Sequence, residues 1–149
     1  MAHDAAQRAL ALFNAHANCA QSVFAACAVN SSLTEAQHLA LAAAFGGGMA
    51  RTGETCGALT GALLALGELH SAEMAADHAT GRAKVYAEAA ALIDEFRSQH
   101  GSILCHELTG CRLNTTEGHD QFVASGAREN VCRKLVVNAV EMVETRRQA

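Results

Sequence analysis

Proline and tryptophan are absent from this chain of 149 residues, and one tyrosine with five phenylalanines holds the aromatic share to 4%. A β-sandwich draws on aromatic and β-branched strands, so these shortages argue against one; with alanine recurring throughout, they favour an all-α fold. Charge is scarce as well, at 17% of residues with a formal net of −4. The lysines and arginines are scattered, so the basic patch that nucleic-acid binding requires is missing. Long apolar runs are missing too. The most apolar stretch, Ala58 to Leu69, holds glycines, includes Glu68 and is followed by His70. It falls short of the roughly 20 residues that span a membrane, so no membrane partner is expected. Met1 to His16 carries Asp4 early and an amphipathic pattern, unlike the basic and then apolar regions of a signal peptide.

What is present suffices for one domain over residues 1–149, because half of the residues are apolar and can form a core without disulfides. Periodicity predicts helices at 3–16, 18–29, 34–45, 55–70, 72–99, 102–109, 117–125 and 129–146. The expected architecture is a compact multi-helix bundle with a glycine-rich loop leading into a central helix. Thr34-Glu35-Ala36-Gln37 has the form of a capping box, so a helix should begin there. In the last helix Val131, Leu135, Val136, Ala139, Val140 and Val143 recur at three- and four-residue spacing, with Arg133, Lys134, Glu141 and Glu144 elsewhere around it.

The segment from Gly46 to Gly67 breaks the helical pattern. Gly46, Gly47 and Gly48 free the backbone for positive φ, whereas Gly53, Gly57 and Gly61 recur every four residues and would clear one side of a helix. Either a second helix or a bulky cofactor beside Cys56 is expected against Gly57 and Gly61. Gly48 to Thr55 follows the phosphate-loop pattern at all defined positions but one, where Glu54 replaces the lysine that reaches phosphate. An anion at that place excludes the nucleotide reading.

The cysteines stand at 19, 27, 56, 105, 111 and 132, and no C-x-x-C pair occurs. Thioredoxin-type dithiols and zinc or ferredoxin knuckles are thereby excluded, and any shared site must be assembled by the tertiary fold. With no export signal visible, six cysteines suit a reducing, cytoplasmic compartment, in which metal or redox roles gain weight over structural disulfides. Asn18 can cap the helix opening at Cys19, Thr55 precedes Cys56, Ser102 lies three before Cys105, and Asn130 lies two before Cys132. Four cysteines therefore fall in predicted first helical turns, where free amides and the helix dipole favour the thiolate that binds metal. Cys27 falls late in its helix and reads as core. Cys111, close to Cys105, is a reserve ligand or a resolving thiol. The histidines read as mostly surface residues, with His106 beside Cys105 kept as a reserve ligand or proton-linked neighbour. Neither a Ser-His-Asp hydrolase nor a paired-carboxylate catalyst is supported.

Asn18-Cys19-Ala20-Gln21-Ser22-Val23, Phe45-Gly46-Gly47-Gly48-Met49, and Gly53-Glu54-Thr55-Cys56-Gly57-Ala58 through Gly61 together resemble the C_GCAxxG_C_C family of redox-active proteins. His100-Gly101-Ser102-Ile103 through Cys105, Glu107, Leu108 and Gly110, then Thr115 to Gly118 and Cys132, are similar to its C-terminal half. The family label writes Gly-Cys-Ala where this chain has Cys56-Gly57-Ala58, so the surrounding block carries the match. The resemblance implies Cys19, Cys56, Cys105 and Cys132 as the four defining cysteines, with Cys111 competing with Cys132 for the fourth place. It extends to the C-terminal domain of split-Soret cytochrome c, a dimeric protein carrying a two-iron cluster; the haem part has no counterpart here, since no C-x-x-C-H motif occurs. The implied protein is a homodimeric [2Fe–2S] electron carrier or redox sensor that meets a redox partner protein of unknown identity. Cys19, Cys56, Cys105 and Cys132 would be its ligands, with Gly57 and Gly61 beside the cofactor. The alternatives are a cluster-free thiol–disulfide oxidoreductase and a helical module with structural zinc.

Overall fold

A computed structural model describes residues 2–149, and among these residues it forms nine α-helices and no strand. They are α1 (Ala2–Asn14), α2 (Cys19–Cys27), α3 (Glu35–Ala42), α4 (Gly57–Leu69), α5 (Ser71–Ala76), α6 (His78–His100), α7 (Cys105–Thr109), α8 (Thr116–Ser125) and α9 (Arg133–Gln148). A 3-10 turn over Ala43–Phe45 extends α3, and a π-turn over Arg128–Cys132 leads into α9.

Capping fixes several starts. Asn18 accepts from Gln21 N at 2.9 Å while the Gln21 side chain accepts from Asn18 N at 2.9 Å, and Thr34 with Gln37 repeats the arrangement at α3. One expected helix, 72–99, is two. Asp77 leaves helical geometry at φ −148° and caps α6 by accepting from Thr80 N, so the chain breaks there.

Helix α4 is central, buried along Ala58, Leu59, Ala62, Ala65 and Leu66 and packed on α2, α6 and α9. Gly61 belongs to this packing, since a Cβ there would stand 2.6 Å from the Ala20 carbonyl oxygen and 3.0 Å from Val23 Cβ. Of the two neighbours expected at Gly61, the structure thus supplies the helix. Gly53 does not share that helix face; it lies in the preceding loop at φ +79°.

The last helix buries Leu135, Val136, Ala139, Val140 and Val143 as its periodicity predicts, but it also buries Glu144, 3% exposed. Arg147 meets that carboxylate at 3.1 Å and also donates to the Cys27 carbonyl, so the buried charge is paired. Histidines are likewise less peripheral than expected. His38 is buried against Glu68 at 3.1 Å, and His70 is buried between Glu73 and Glu88 at 3.4 and 2.9 Å. Among the described residues no helix is long and apolar enough to cross a membrane.

A candidate redox site lined by four cysteines

The loop between the 3-10 turn and α4 turns with the wrong hand. Gly47, Gly48, Met49, Ala50 and Arg51 have φ of 64°, 68°, 65°, 53° and 65°, five consecutive residues in the left-handed region. For the three that carry a Cβ this costs roughly 1–2 kcal/mol each, and it persists only where surrounding contacts over-determine it. Here Ala50, Arg51, Gly53 and Glu54 donate their amides to the carbonyls of Ala44, Gly46, Gly47 and Gly48 at 2.8–3.2 Å, closing a compact coil. Glycine is required at Gly48, where a Cβ would lie 2.6 Å from Cys105 Cβ and 2.7 Å from Glu54 N.

This coil hands the chain to Cys56 and Cys105 together. The Cys56 amide donates to the Ile103 carbonyl at 2.7 Å, Cys105 to Glu54 at 2.7 Å and His106 to Gly53 at 3.2 Å, forming a short antiparallel bridge. Two cysteines 49 positions apart are thereby held side by side on backbone bonds. Cys19 reaches the same place from the start of α2, and Cys132 from the end of the π-turn. Cys19, Cys56, Cys105 and Cys132 line one cavity of about 340 Å³, walled also by Gly46 to Gly48, Gly57, Arg51 and Arg128. All six cysteines are free thiols.

The helix-start argument needs amending at three of the four. Cys19 is the first residue of α2 behind Asn18, as predicted. Cys56 is itself the cap residue of α4, and Cys105 follows Leu104 instead of a side-chain cap. Ser102 accepts from Leu104 N at 3.0 Å, and Asn130 turns away to the Ser125 carbonyl. Cys132 lies where a π-turn passes into α9, a widening of the helix that periodicity does not reveal.

The protonation of these thiols follows from their surroundings. Burial pushes Cys56 up to about 12, against the opposing pull of the Ala58 and Leu59 amides in the first turn of α4. Burial and then Cys132 push Cys105 up to about 11, against the Thr109 hydroxyl. Cys19 and Cys132 act on each other. The hydrogen bond between their side chains, then burial, holds Cys19 well above the ordinary value, while the same bond and the nearby Arg128 bring Cys132 below it. The two thiols are thus shifted in opposite directions, Cys19 up and Cys132 down. Arg128 is fixed for this purpose by donating to the carbonyls of Phe13 and Ala17, the latter at 3.2 Å, and by stacking over Phe13 at 3.8 Å.

The reserve residues do not line the cavity. Cys111 is buried behind Thr109, donating its thiol to the Thr109 carbonyl at 3.4 Å. His106 turns Nδ1 to the Gly53 carbonyl at 2.7 Å. Cys27 lies at the far end of α2 among Arg8, Glu144 and Arg147 and is core, as expected. Among the described residues no three histidine, cysteine or acidic side chains are gathered as ligands of a single metal ion.

Residues 17–146 match the model of a family described as "Putative redox-active protein (C_GCAxxG_C_C)". The chain belongs to this family. No curated protein and no solved structure matches it. The redox character of the family accords with a cavity in which several thiols face a common space. Arg51, Arg128, Thr109 and His119 were not found from sequence. Arg128, four residues before Cys132 on a helical pattern, was the one with a readable signal.

Proposed function

We propose that this chain is a one-electron redox protein in which Cys19, Cys56, Cys105 and Cys132 hold a [2Fe–2S] cluster. The observation that carries the reading is the convergence of four thiols from four separate segments on one cavity of about 340 Å³. The donor set suits such a group: all four are sulfur, no carboxylate stands in the wall, and Gly48 and Gly57 leave the space beside Cys105 and Cys19 that a Cβ would fill. When bound, the cluster would supply a one-electron couple. The chain's own part is to stabilise the thiolates: Ala58 and Leu59 amides at Cys56, the Thr109 hydroxyl at Cys105, Arg128 at Cys132. This reading expects a reducing compartment such as the cytoplasm, where six thiols would stay free.

Assembly as a homodimer forms part of this reading. The N-terminal half of α6 leaves Ala79, Ala83, Ala87 and Ala90 exposed, with Tyr86 69% exposed beside them, a face of small apolar residues that a twofold partner would cover.

Single serine substitutions test the cluster reading. In protein loaded with iron and sulfide under anaerobic conditions, Cys19→Ser, Cys56→Ser, Cys105→Ser and Cys132→Ser should each lose or shift the visible spectrum, and Cys27→Ser should retain it. Full retention by any two of the four would overturn the assignment.

Cys19 and Cys132, two free thiols on the wall of one cavity, favour a second reading, a cluster-free dithiol. In it the Cys132 thiolate attacks a disulfide substrate and releases one thiol. Cys19 then displaces the mixed disulfide, releasing the second thiol and leaving Cys19 and Cys132 bonded. Colourless protein that yields this disulfide on treatment with oxidised glutathione would favour it over the cluster.

A further inference from the structure

Helix α4 is apolar on nearly every side, a pattern that calls for cover all round. It buries Ala58, Leu59, Ala62, Ala65 and Leu66, but Leu63, Leu64 and Gly67 floor an open groove of about 680 Å³. Phe24, Leu33, Phe45 and Met49 wall it. No residue lines both this groove and the thiol cavity. The left-handed coil stands between them, with Met49 on the groove and Gly48 and Ala50 on the cavity.

Two features give the groove the character of a ligand site. Gly67 lies inside α4, where glycine is disfavoured against alanine, and its φ is not positive. A Cβ there would meet no atom of the described residues within 4 Å, so internal packing does not require the glycine either. The space a side chain would take at Gly67 is groove. Toward the C-terminal end of α4 the lining turns polar with Glu68, Ser32 and Ser71. Glu68 is the one charged residue among the eleven that line the groove, and its side chain is 22% exposed. His38 Nε2 donates to it at 3.1 Å from behind, buried edge-on against Phe24, and the Ser31 hydroxyl donates to its other oxygen. An ionised carboxylate has lone pairs for further donors and can only accept. Arg147, beyond Glu68, is taken by Glu144 at 3.1 Å.

We propose that this groove binds a small amphiphilic amine, its apolar body over Leu63, Leu64 and Gly67 and its ammonium head hydrogen-bonded to Glu68. The size of the groove selects a small molecule: its volume lies within the roughly 300–1,000 Å³ of such sites. Its eleven lining residues are about half of the roughly 20–30 a side that a stable protein interface uses. The chemistry selects the head. The apolar body leaves water against α4, while the carboxylate accepts from a donor head and repels a second carboxylate. The site is independent of the redox reading.

Titration calorimetry with decylammonium, decanol and decanoate, each below the concentration at which it aggregates, tests the site. Affinity should fall in that order, with one decylammonium per chain bound about tenfold or more tighter than decanoate. Glu68→Gln should remove the advantage of decylammonium over decanol and leave decanol as it is. Gly67→Leu, which fills the groove where the fold has room, should weaken all three while the melting temperature stays close to that of the wild type. Equal affinities for decylammonium and decanoate, no binding of decylammonium, or binding that Gly67→Leu leaves intact would overturn the site. Light scattering checks the rival occupant. A dimer mass that Gly67→Leu returns to the monomer value would give the groove to a second copy and overturn the proposal.

Discussion

Gly57, the first residue of α4, and Cys19, the first of α2, meet so closely that a Cβ on Gly57 would stand 3.2 Å from Cys19 Cβ. The same Cβ would be 3.1 Å from the Phe45 carbonyl oxygen and 3.2 Å from Ala20 N, and neither backbone atom can give way cheaply. The glycine therefore positions one cysteine of the cavity while opening the helix that follows another. Gly57→Leu should abolish any bound visible chromophore and lower the melting temperature, whereas Gly67→Leu, with open space around its Cβ position, should change neither much. Gly61→Leu should separate the two effects. Its clash is with α2, so stability should fall by roughly 1–3 kcal/mol or more, read as a drop of several degrees in Tm.

The left-handed coil gives the second prediction. Ala50 sits at φ 53°, where glycine bears no Cβ penalty, so Ala50→Gly should raise the urea midpoint by an amount equivalent to about 1 kcal/mol. Gly48→Ala should do the opposite and displace Cys105, because its Cβ would stand 2.6 Å from that of the cysteine. A destabilised Ala50→Gly would show that the coil is not strained.

Cys27 carries the pH prediction. Burial first, and then Glu144, push its thiol up from the ordinary 9.0 to about 12, against the opposing pull of Arg147 and Arg8. The fold thus prefers the neutral thiol. Its contribution is fully present below pH 9 and is lost as pH rises through 9 toward 12. Cys27→Ala should be less stable than wild type by about 1 kcal/mol at neutral pH, from the lost packing, yet decline less steeply between pH 9 and 11. Parallel stability curves for the two proteins would contradict this.

Most of the fold was legible because alanine-rich periodicity and the caps at Asn18 and Thr34 are local signals. The break at Asp77 was not, since Asp77 follows Ala75 and Ala76 on a pattern that reads as continuous helix, and only the cap geometry shows the stop. At the site, the glycine block marked Gly57 and Gly61 as places of close approach and Gly48 as a position for positive φ. The hand of the coil was hidden because Met49, Ala50 and Arg51 have no preference for positive φ; hydrogen bonds between the amides of Ala50, Arg51, Gly53 and Glu54 and the carbonyls of Ala44, Gly46, Gly47 and Gly48 impose it. The pairing of Cys56 with Cys105 depends on backbone bonds between distant segments, and the partners Glu68 of His38 and Glu88 of His70 likewise lie on other helices. Such tertiary facts leave no local trace.

The exposed alanine face of α6 leads to the assembly prediction. Light scattering at micromolar concentration should give a mass twice the monomer's 15.5 kDa, and Ala83→Glu with Tyr86→Asp should return it to the monomer value. A monomer mass for the wild type would remove the dimer and leave the cysteine site as it is.

The central claim is tested most directly by iron, sulfide and visible absorption in protein purified without oxygen. The account predicts a coloured protein with iron and acid-labile sulfide in equal amounts, its colour bleached by dithionite and restored on reoxidation. A colourless protein that takes up neither iron nor sulfide under anaerobic reconstitution would contradict it.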